Sequence, residues 1–239
     1  MSGGDLLALA GFDPGLLARY GPSLLHGLAT TLELVAVSVP LGFCLAAGLA
    51  LMRLEGGVPL RALAAGFVGF FRGTPLLAQL FLLYYGAAQF HGALQAAGLW
   101  GLFRDAFWCA AFTFTLNTAA YQAEILRGAA RSVPAGQFEA GLSLGLSRGA
   151  VYRLIVAPQA LALALRPLGN ELILMIKASS LASVITVLDL MGATKRAFSA
   201  SLDFEVYLWA ALIYLALVEI VRRVWNALER RLARHAPAA

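Results

Sequence analysis

Long apolar runs alternate with short polar connections along the chain. The runs lie at about 23–52, 62–86, 106–126, 160–190 and 204–222. Each is near or above the ~20 residues that a helix needs to cross a bilayer. The pattern therefore predicts an all-α integral membrane protein with five transmembrane helices.

Positive charge is unevenly distributed among the polar connections. Arginines flank the first connection, fill the third and crowd the C-terminal end, whereas the second and fourth connections balance their basic residues with acids. Cytoplasmic loops are enriched in Lys and Arg, so we expect the N-terminus outside and the C-terminus inside. Residues 1–22 are broken by Gly and Pro, and we expect a periplasmic interfacial segment there. A transmembrane domain at 23–225 and a basic cytoplasmic tail at 226–239 complete the predicted organisation.

Composition narrows the function classes. Of 239 residues, 60% are hydrophobic and only 13% charged, whereas soluble domains are about one-quarter charged. The net charge of +5 comes without a basic stripe interleaved with aromatics, so no nucleic-acid partner is expected. Cys44 and Cys109 lie in apolar runs, and His26 and His91 are not at metal-ligand spacing. His235 lies in a tail whose composition is typical of disorder, so no metal site is expected. No GxxxxGK[ST] loop occurs, so the chain does not hydrolyse ATP itself.

The third connection, at about 127–159, is unusually long and has helical signals of its own. These predict two short helices joined by a turn at the membrane surface, although one ordinary interfacial amphipathic helix is an alternative. The signals are a helix start at Ser132 and Pro134, a stop at Gly145, a second cap at Ser147 and an end before Pro158.

Residues 139–141 (EAG), Gly145 and residues 155–158 (IVAP) resemble the EAA loop of binding-protein-dependent ABC importer permeases. That family's pattern is Glu-Ala-Ala, three residues, Gly, nine residues, then Ile-x-Leu-Pro. The spacing matches throughout, with Gly for the second Ala and Ala for the Leu. In the family this loop, here at about 134–158, is the coupling helix that docks in a groove of the ATPase subunit. The resemblance implies that Glu139, Ala140 and Gly145 contact the ATPase.

Other stretches resemble the polar amino-acid branch of the same family, of the histidine, arginine and opine type. They are FFRGTPLLAQLFLLYYG at 70–86, FTLNTAAYQAEILRGAARSVPAGQFEA at 114–140 and GNELILMIKASSLASVITVLDL at 169–190. The likeness covers nearly all of residues 25–225. It implies a type I ABC importer permease fold and a multi-pass subunit of the bacterial inner membrane that translocates basic amino acids or related opines.

The resemblance also implies partners. These are a second permease subunit, a paralogue rather than a copy, two ATPase subunits that bind ATP and Mg, and an external solute-binding protein. No cofactor is expected on this chain. The alternative is an ion- or proton-coupled secondary carrier or channel for polar amino acids, which leaves the pattern from Glu139 to Pro158 unexplained.

Ionisable and amide groups within the apolar runs are candidate substrate contacts, since each is costly in hydrocarbon unless it is paired, hydrated or facing a cavity. Arg72 either pairs with an internal carboxylate or binds a substrate carboxylate. Gly73 and Pro75 should loosen the helix beside it, with Thr74 between them. Asn117 either bonds to a neighbouring helix or lines the path, on one helical face with Thr113, Tyr121 and Glu124.

Asn170 and Glu171 form the most specific candidate. In basic amino-acid members of the family, the Asn-Glu at the matching positions lies in the substrate cavity and the Glu receives the cationic side chain. The alternative is a structural pair of Glu171 with Arg72 or Lys177. Ser179 is a further candidate, either for close helix packing or for substrate, on a predicted face with Ser183 and Thr186. Asp189 is expected at the membrane surface or the gate.

Overall fold

The computed structural model describes residues 13–233, and every regular element in that range is helical. The all-α prediction is confirmed for these residues. The α-helices in chain order are α1 (Pro14–Glu55), α2 (Val58–Gly73), α3 (Leu76–Gly86), α4 (His91–Ala96), α5 (Trp100–Arg104), α6 (Ala106–Arg131), α7 (Ala135–Ser143), α8 (Arg148–Val151), α9 (Ala157–Ala178), α10 (Leu190–Ser201) and α11 (Glu205–Ala233). Ala87–Phe90 and Ser179–Ile185 are 3-10 helices, and Tyr152–Val156 is a π-helix.

Each predicted apolar run lies mostly on helices, but not every run is one long membrane-spanning helix. Within the described residues, Gly15–Glu55 and Arg148–Ile185 are long and apolar enough to cross a membrane. A third span is counted if Val58–Gly73 and Leu76–Ala96, which are bent at the break between them, act as one. The count of five spans and their orientation therefore stay predictions.

Helix α1 passes through Pro22 without a break, where we expected a separate segment. The start of the helix packs well enough to offset the hydrogen bond that the proline cannot donate. Leu16 is buried with Ala197 and Val206, and the Asp13 amide donates to both carboxylate oxygens of Glu205, at 3.0 and 2.9 Å. Residues 14–22 are thus helix, and residues 1–12 of the predicted 1–22 segment lie outside the described residues.

The expected loosening beside Arg72 is confirmed as a break between α2 and α3. Thr74 is extended, with φ −116° and ψ 148°, because a residue before proline is disfavoured in the α region. Both the amide and the hydroxyl of Thr74 donate to the Phe70 carbonyl, at 3.1 and 2.8 Å. Thr74 therefore closes the end of α2.

The predicted helix at 160–190 is wrong in its last third. Helix α9 ends at Ala178, a 3-10 turn follows, and Thr186 has a left-handed φ of 71°. Ser179, Ser180 and Ser183 each donate a 2.7 Å bond to the carbonyl three residues earlier, which accompanies the tightening to a 3-10 helix. The predicted helical face of Ser179, Ser183 and Thr186 does not exist.

The prediction that a helix ends before Pro158 is also wrong. The Ala157 amide donates to the Tyr152 carbonyl, five residues back, so the chain makes a π turn directly before the proline. Since Pro158 has no N–H to donate, a π turn carries the helical path past it. The second helix of the third connection thus continues into α9. At the other end of the chain, α11 extends through residues 226–233 of the predicted tail, and 234–239 lie outside the described residues.

The described chain forms two compact units, each with its own core. The first unit comprises residues 13–37, 77–113 and 175–220, with Leu24, Leu190 and Ala193 buried together. The second unit comprises residues 38–76, 114–174 and 221–233. Its buried clusters centre on Ala46, Val68 and Ala120 and on Val133, Val151 and Val156. All the candidate substrate contacts except Ser179 belong to the second unit.

Candidate functional site

Glu171 on α9 is buried, with 7% of its surface exposed. The Thr118 hydroxyl on α6 donates to its Oε1 at 3.0 Å. Gln122 Nε2 in turn donates to Thr118 Oγ1 at 2.9 Å and to the Val39 carbonyl of α1 at 3.4 Å. A chain of hydrogen bonds thus runs from α1 through α6 to Glu171.

The two structural pairs considered for Glu171 are not formed. Among residues 13–233, neither Arg72 nor Lys177 makes an ion pair with it. Lys177 is exposed. Glu171 is therefore a buried carboxylate whose described side-chain partner is a hydroxyl, which leaves an ionised form short of a counter-charge.

Arg72 lies in the last turn of α2 with its side chain exposed. Its guanidinium carbon is 5.4 Å from the centre of the Tyr121 ring on α6, a cation–π distance. One residue earlier, the Phe71 carbonyl accepts a 3.3 Å bond from Asn117 Nδ2. The end of α2 is thus held against α6, while within the described residues the guanidinium forms no ion pair.

The remaining candidates divide between surface and backbone roles. Asn170 is exposed directly beside buried Glu171. The Thr74 hydroxyl donates to the Phe70 carbonyl, and the Ser179 hydroxyl, in the first unit, donates to the Ile176 carbonyl at 2.7 Å. Because the Ser179 hydroxyl donates this bond, its oxygen can still accept one from a ligand.

Glu124 joins two helices. It forms ion pairs with Arg53 of α1 and Arg127 of α6, and Arg127 Nε lies 3.1 Å from its Oε1. Interhelical bonding, one of the alternatives for the polar face of α6, therefore applies to Glu124 and, through the bond to the Phe71 carbonyl of α2, to Asn117. Asp189 is not at a surface: it is buried in the first unit and caps α10, accepting from the Gly192 amide at 3.0 Å and the Met191 amide at 3.3 Å.

The coupling-loop residues lie on a helix–turn–helix, as predicted. Glu139 and Ala140 are on the exposed side of α7, and Gly145 ends the turn with a φ of 81° that favours glycine. Ser147 caps α8, accepting from the Ala150 amide at 3.3 Å. On the other side of α7, Gly141 is buried.

The glycine at 141, where the family pattern has alanine, is a packing requirement here. A Cβ at this position would lie 2.8 Å from Val151 Cγ2 and 2.8 Å from Ile155 Cδ1. The missing methyl group therefore lets α7 approach the helical stretch that leads into α9.

The sequence did not identify three residues that hold the acidic side chains in place: Thr118 and Gln122 near Glu171, and Arg53 at Glu124. Thr118 and Gln122 are four residues apart, so they share a helical face. This spacing is the one feature of the sequence that indicates a polar pair there. Their face is about 100° away from that of Asn117 and Tyr121. Nothing in the order of residues indicated that Arg53 would meet Glu124.

Comparison with known proteins decides the family. Residues 38–234 match the family described as "Binding-protein-dependent transport system inner membrane component". The chain belongs to this family. The permease is similar to the nopaline transport system permease protein NocM of Agrobacterium fabrum, 44% identical over 89% of this chain and 88% of NocM. It is also 45% identical to the octopine transport system permease protein OccM of Rhizobium radiobacter, over 91% and 89% of the two chains.

A solved structure supports the same assignment. A chain of an amino acid ABC transporter crystallised with histidines matches with a TM-score of 0.80 and 34% identity, over 90% of the permease and 96% of that chain. The predicted type I ABC importer permease fold is confirmed. The permease is a multi-pass membrane protein and a transport component.

Proposed function

We propose that the permease carries basic amino acids or related opines across the bacterial inner membrane, as one subunit of an ATP-driven importer. The observation that carries the substrate class is Glu171. A buried carboxylate that receives one hydroxyl and lacks a paired cation among the described residues is completed by the cationic end of a substrate. The similarity to permeases of nopaline and octopine transport systems supports the same class.

Two other candidate residues of the second unit suit the other end of such a substrate. Arg72 presents an exposed guanidinium, whose fork of donors suits a carboxylate. Asn170 offers an exposed amide next to Glu171. We propose these three residues as the principal contacts. We propose Asn117, Thr74 and Ser179 as further contacts, through their amide or hydroxyl groups.

The coupling loop links transport to ATP. We propose five spans, with the N-terminus outside and residues 127–159 in the cytoplasm, where two ATPase subunits dock and hold ATP and Mg. Glu139, Ala140 and Gly145 form the docking surface, since Glu139 and Ala140 are exposed and Gly145 shapes the turn beside them. A second permease subunit, a paralogue, and an external binding protein complete the assembly.

The transport cycle follows from these parts. The loaded binding protein docks outside, and ATP binding closes the ATPase pair. The movement passes through α7 and its packed partners Val151 and Ile155 into α9, which carries Asn170 and Glu171. Substrate then passes an alternating-access site, and ATP hydrolysis resets the path. The permease itself binds and orients; it performs no covalent chemistry.

Uptake by reconstituted importer tests the proposal. With the complete assembly in liposomes, we expect Glu171→Gln to reduce arginine uptake at least about tenfold, the value of one weak ion pair, while assembly is retained. Glu33→Gln is the matched control, because Glu33 is an exposed acid in the apolar part of α1. Unchanged uptake and substrate preference in Glu171→Gln would overturn the assignment of Glu171. Arginine uptake by liposomes that lack the ATPase would overturn the importer itself.

A further inference from the structure

The second unit contains a cavity of about 640 Å³ that is lined by none of the proposed substrate contacts and by none of the ATPase-coupling residues Glu139, Ala140 and Gly145. It lies between the C-terminal part of α1, the end of α6 and residues 148–161. Its volume falls within the roughly 300–1,000 Å³ of ligand pockets. None of Arg72, Asn117, Asn170 and Glu171 lines it.

The cavity has apolar walls and one polar end. Small and aliphatic side chains such as Ala47, Leu51, Leu126 and Ala160 form the walls. The polar groups are at Glu55, Arg148, Tyr152 and Arg153. The cavity is therefore amphipathic, like a lipid molecule.

The polar end has an excess of positive charge. The Tyr152 hydroxyl donates to Glu55 Oε1 at 2.8 Å, and Arg148 Nη1 lies 3.9 Å from Glu55 Oε2. Arg148 keeps 71% of its side chain exposed. Arg153 is also exposed, and it forms no ion pair within residues 13–233. Two arginines and one glutamate thus line the cavity, and this excess of positive charge is complementary to an anion.

We propose that this cavity binds an anionic phospholipid, with an acyl chain along the apolar walls and the phosphate against Arg153 and Arg148. Basic pockets between membrane helices on the cytoplasmic side bind anionic head groups. That the lipid comes from the cytoplasmic leaflet rests on the proposed topology. Because the walls include both the end of α1 and the π-helix at Tyr152–Val156, the bound lipid joins α1 to the helix that leads from the coupling loop.

Size and polarity distinguish this occupant from others. A helix about 10 Å across would fill the volume in less than about two turns, too short a contact for a packed helix. An extended peptide would bring backbone N–H and C=O groups against walls that offer them no partners. A free phosphate would leave the apolar walls uncovered. An acyl chain with a phosphate satisfies both parts of the cavity.

Native mass spectrometry of the purified membrane assembly tests the proposal. The probes are phosphatidylglycerol, phosphatidylcholine with the same acyl chains, and glycerophosphoglycerol, which is the head group alone. We expect retention of phosphatidylglycerol in preference to both of the others. Arg153→Gln and Arg148→Gln should each lower that retention about fivefold. Arg131→Gln, an exposed arginine of α6 that does not line the cavity, should leave it unchanged.

A second kind of variant tests whether the apolar walls of the cavity hold the acyl chain. Ala47→Phe should fill the cavity and expel the lipid although both arginines remain, whereas Ala29→Phe, on an exposed position of the same helix, should not. Equal retention of the two phospholipids, equal retention of the head group alone, or unchanged binding in both Ala47→Phe and the arginine variants would overturn the proposal. A photoreactive phosphatidylglycerol that labels only partner subunits would also overturn it. Binding is measured without transport, so failed arginine uptake with retained lipid counts against the proposed function alone.

Discussion

The hydroxyl of Thr118 donates a 3.0 Å hydrogen bond to the carboxylate of Glu171, and so joins α6 to α9 inside the second unit. Gln122 supports the same hydroxyl from one turn away, at 2.9 Å. The position of the carboxylate is therefore set by a neighbouring helix as well as by its own. Substrate affinity should depend on residues that never touch substrate.

Replacing Thr118 with Val tests this support. The change keeps the shape but removes the donor to a buried carboxylate, which should cost about 1–3 kcal/mol of stability. We expect a lower midpoint of thermal unfolding in detergent and weaker arginine uptake. Thr113→Val is the control, because the Thr113 hydroxyl is buried on the same helix but donates to its own helix, at the Cys109 carbonyl. Equal effects of the two variants on uptake would show that Thr118 has no special role.

Gly42 on α1 lies against the other side of Thr118. A Cβ at Gly42 would come 2.4 Å from Thr118 Cγ2 and 3.2 Å from the Thr115 carbonyl. We expect Gly42→Ala to displace Thr118, to lower stability by about 1–3 kcal/mol, and to reduce arginine uptake with it. In Gly48→Ala, on the same helix, the new methyl group meets nothing within 4 Å, so uptake should be unaffected. Arginine uptake is therefore measured for both variants, and equal uptake by Gly42→Ala and Gly48→Ala would contradict the expected displacement of Thr118.

Two glycines of α7 should respond in opposite directions to the same change. Gly141→Ala restores the family's residue, yet its methyl group would lie 2.8 Å from Val151 and Ile155, so we expect destabilisation by about 1–3 kcal/mol. At Gly136 nothing lies within 4 Å, and alanine should stabilise the helix by about 0.5–1 kcal/mol. Thermal unfolding of both variants checks the sign. A stabilised Gly141→Ala variant would contradict the packing described for α7.

Glu139 is the test of the coupling surface. We expect Glu139→Lys to uncouple transport from ATP hydrolysis and to leave the permease in the membrane, because the side chain is exposed and its loss disturbs no core. The measurement is substrate-stimulated ATPase activity of the reconstituted assembly. Gln137→Lys, an exposed position of the same helix, is the control for added positive charge. Unchanged stimulation in Glu139→Lys would place ATPase contact elsewhere.

Local chemistry explains which elements could be predicted. The turn at Gly145, the cap at Ser147 and the break before Pro75 depend on the conformational limits of single residues, so they follow from residue type. Pro158 shows the limit of this reasoning. Its missing N–H predicts an interruption, but whether the helix ends or makes a π turn depends on the packing of Val151 and Val156 in the surrounding core.

The sequence by itself determined the helical class, the family and the positions where charged groups had to lie in apolar segments. Only the tertiary structure decided their partners: Thr118 for Glu171, Tyr121 for Arg72 and Arg53 for Glu124. The physical reason is that hydrophobic periodicity and turn chemistry act over a few residues. A hydrogen bond or an ion pair between helices depends on how the helices are placed in space. Thr118 and Glu171 are separated by 53 positions in the sequence, and Arg53 and Glu124 by 71, so no local pattern indicates that either pair will meet.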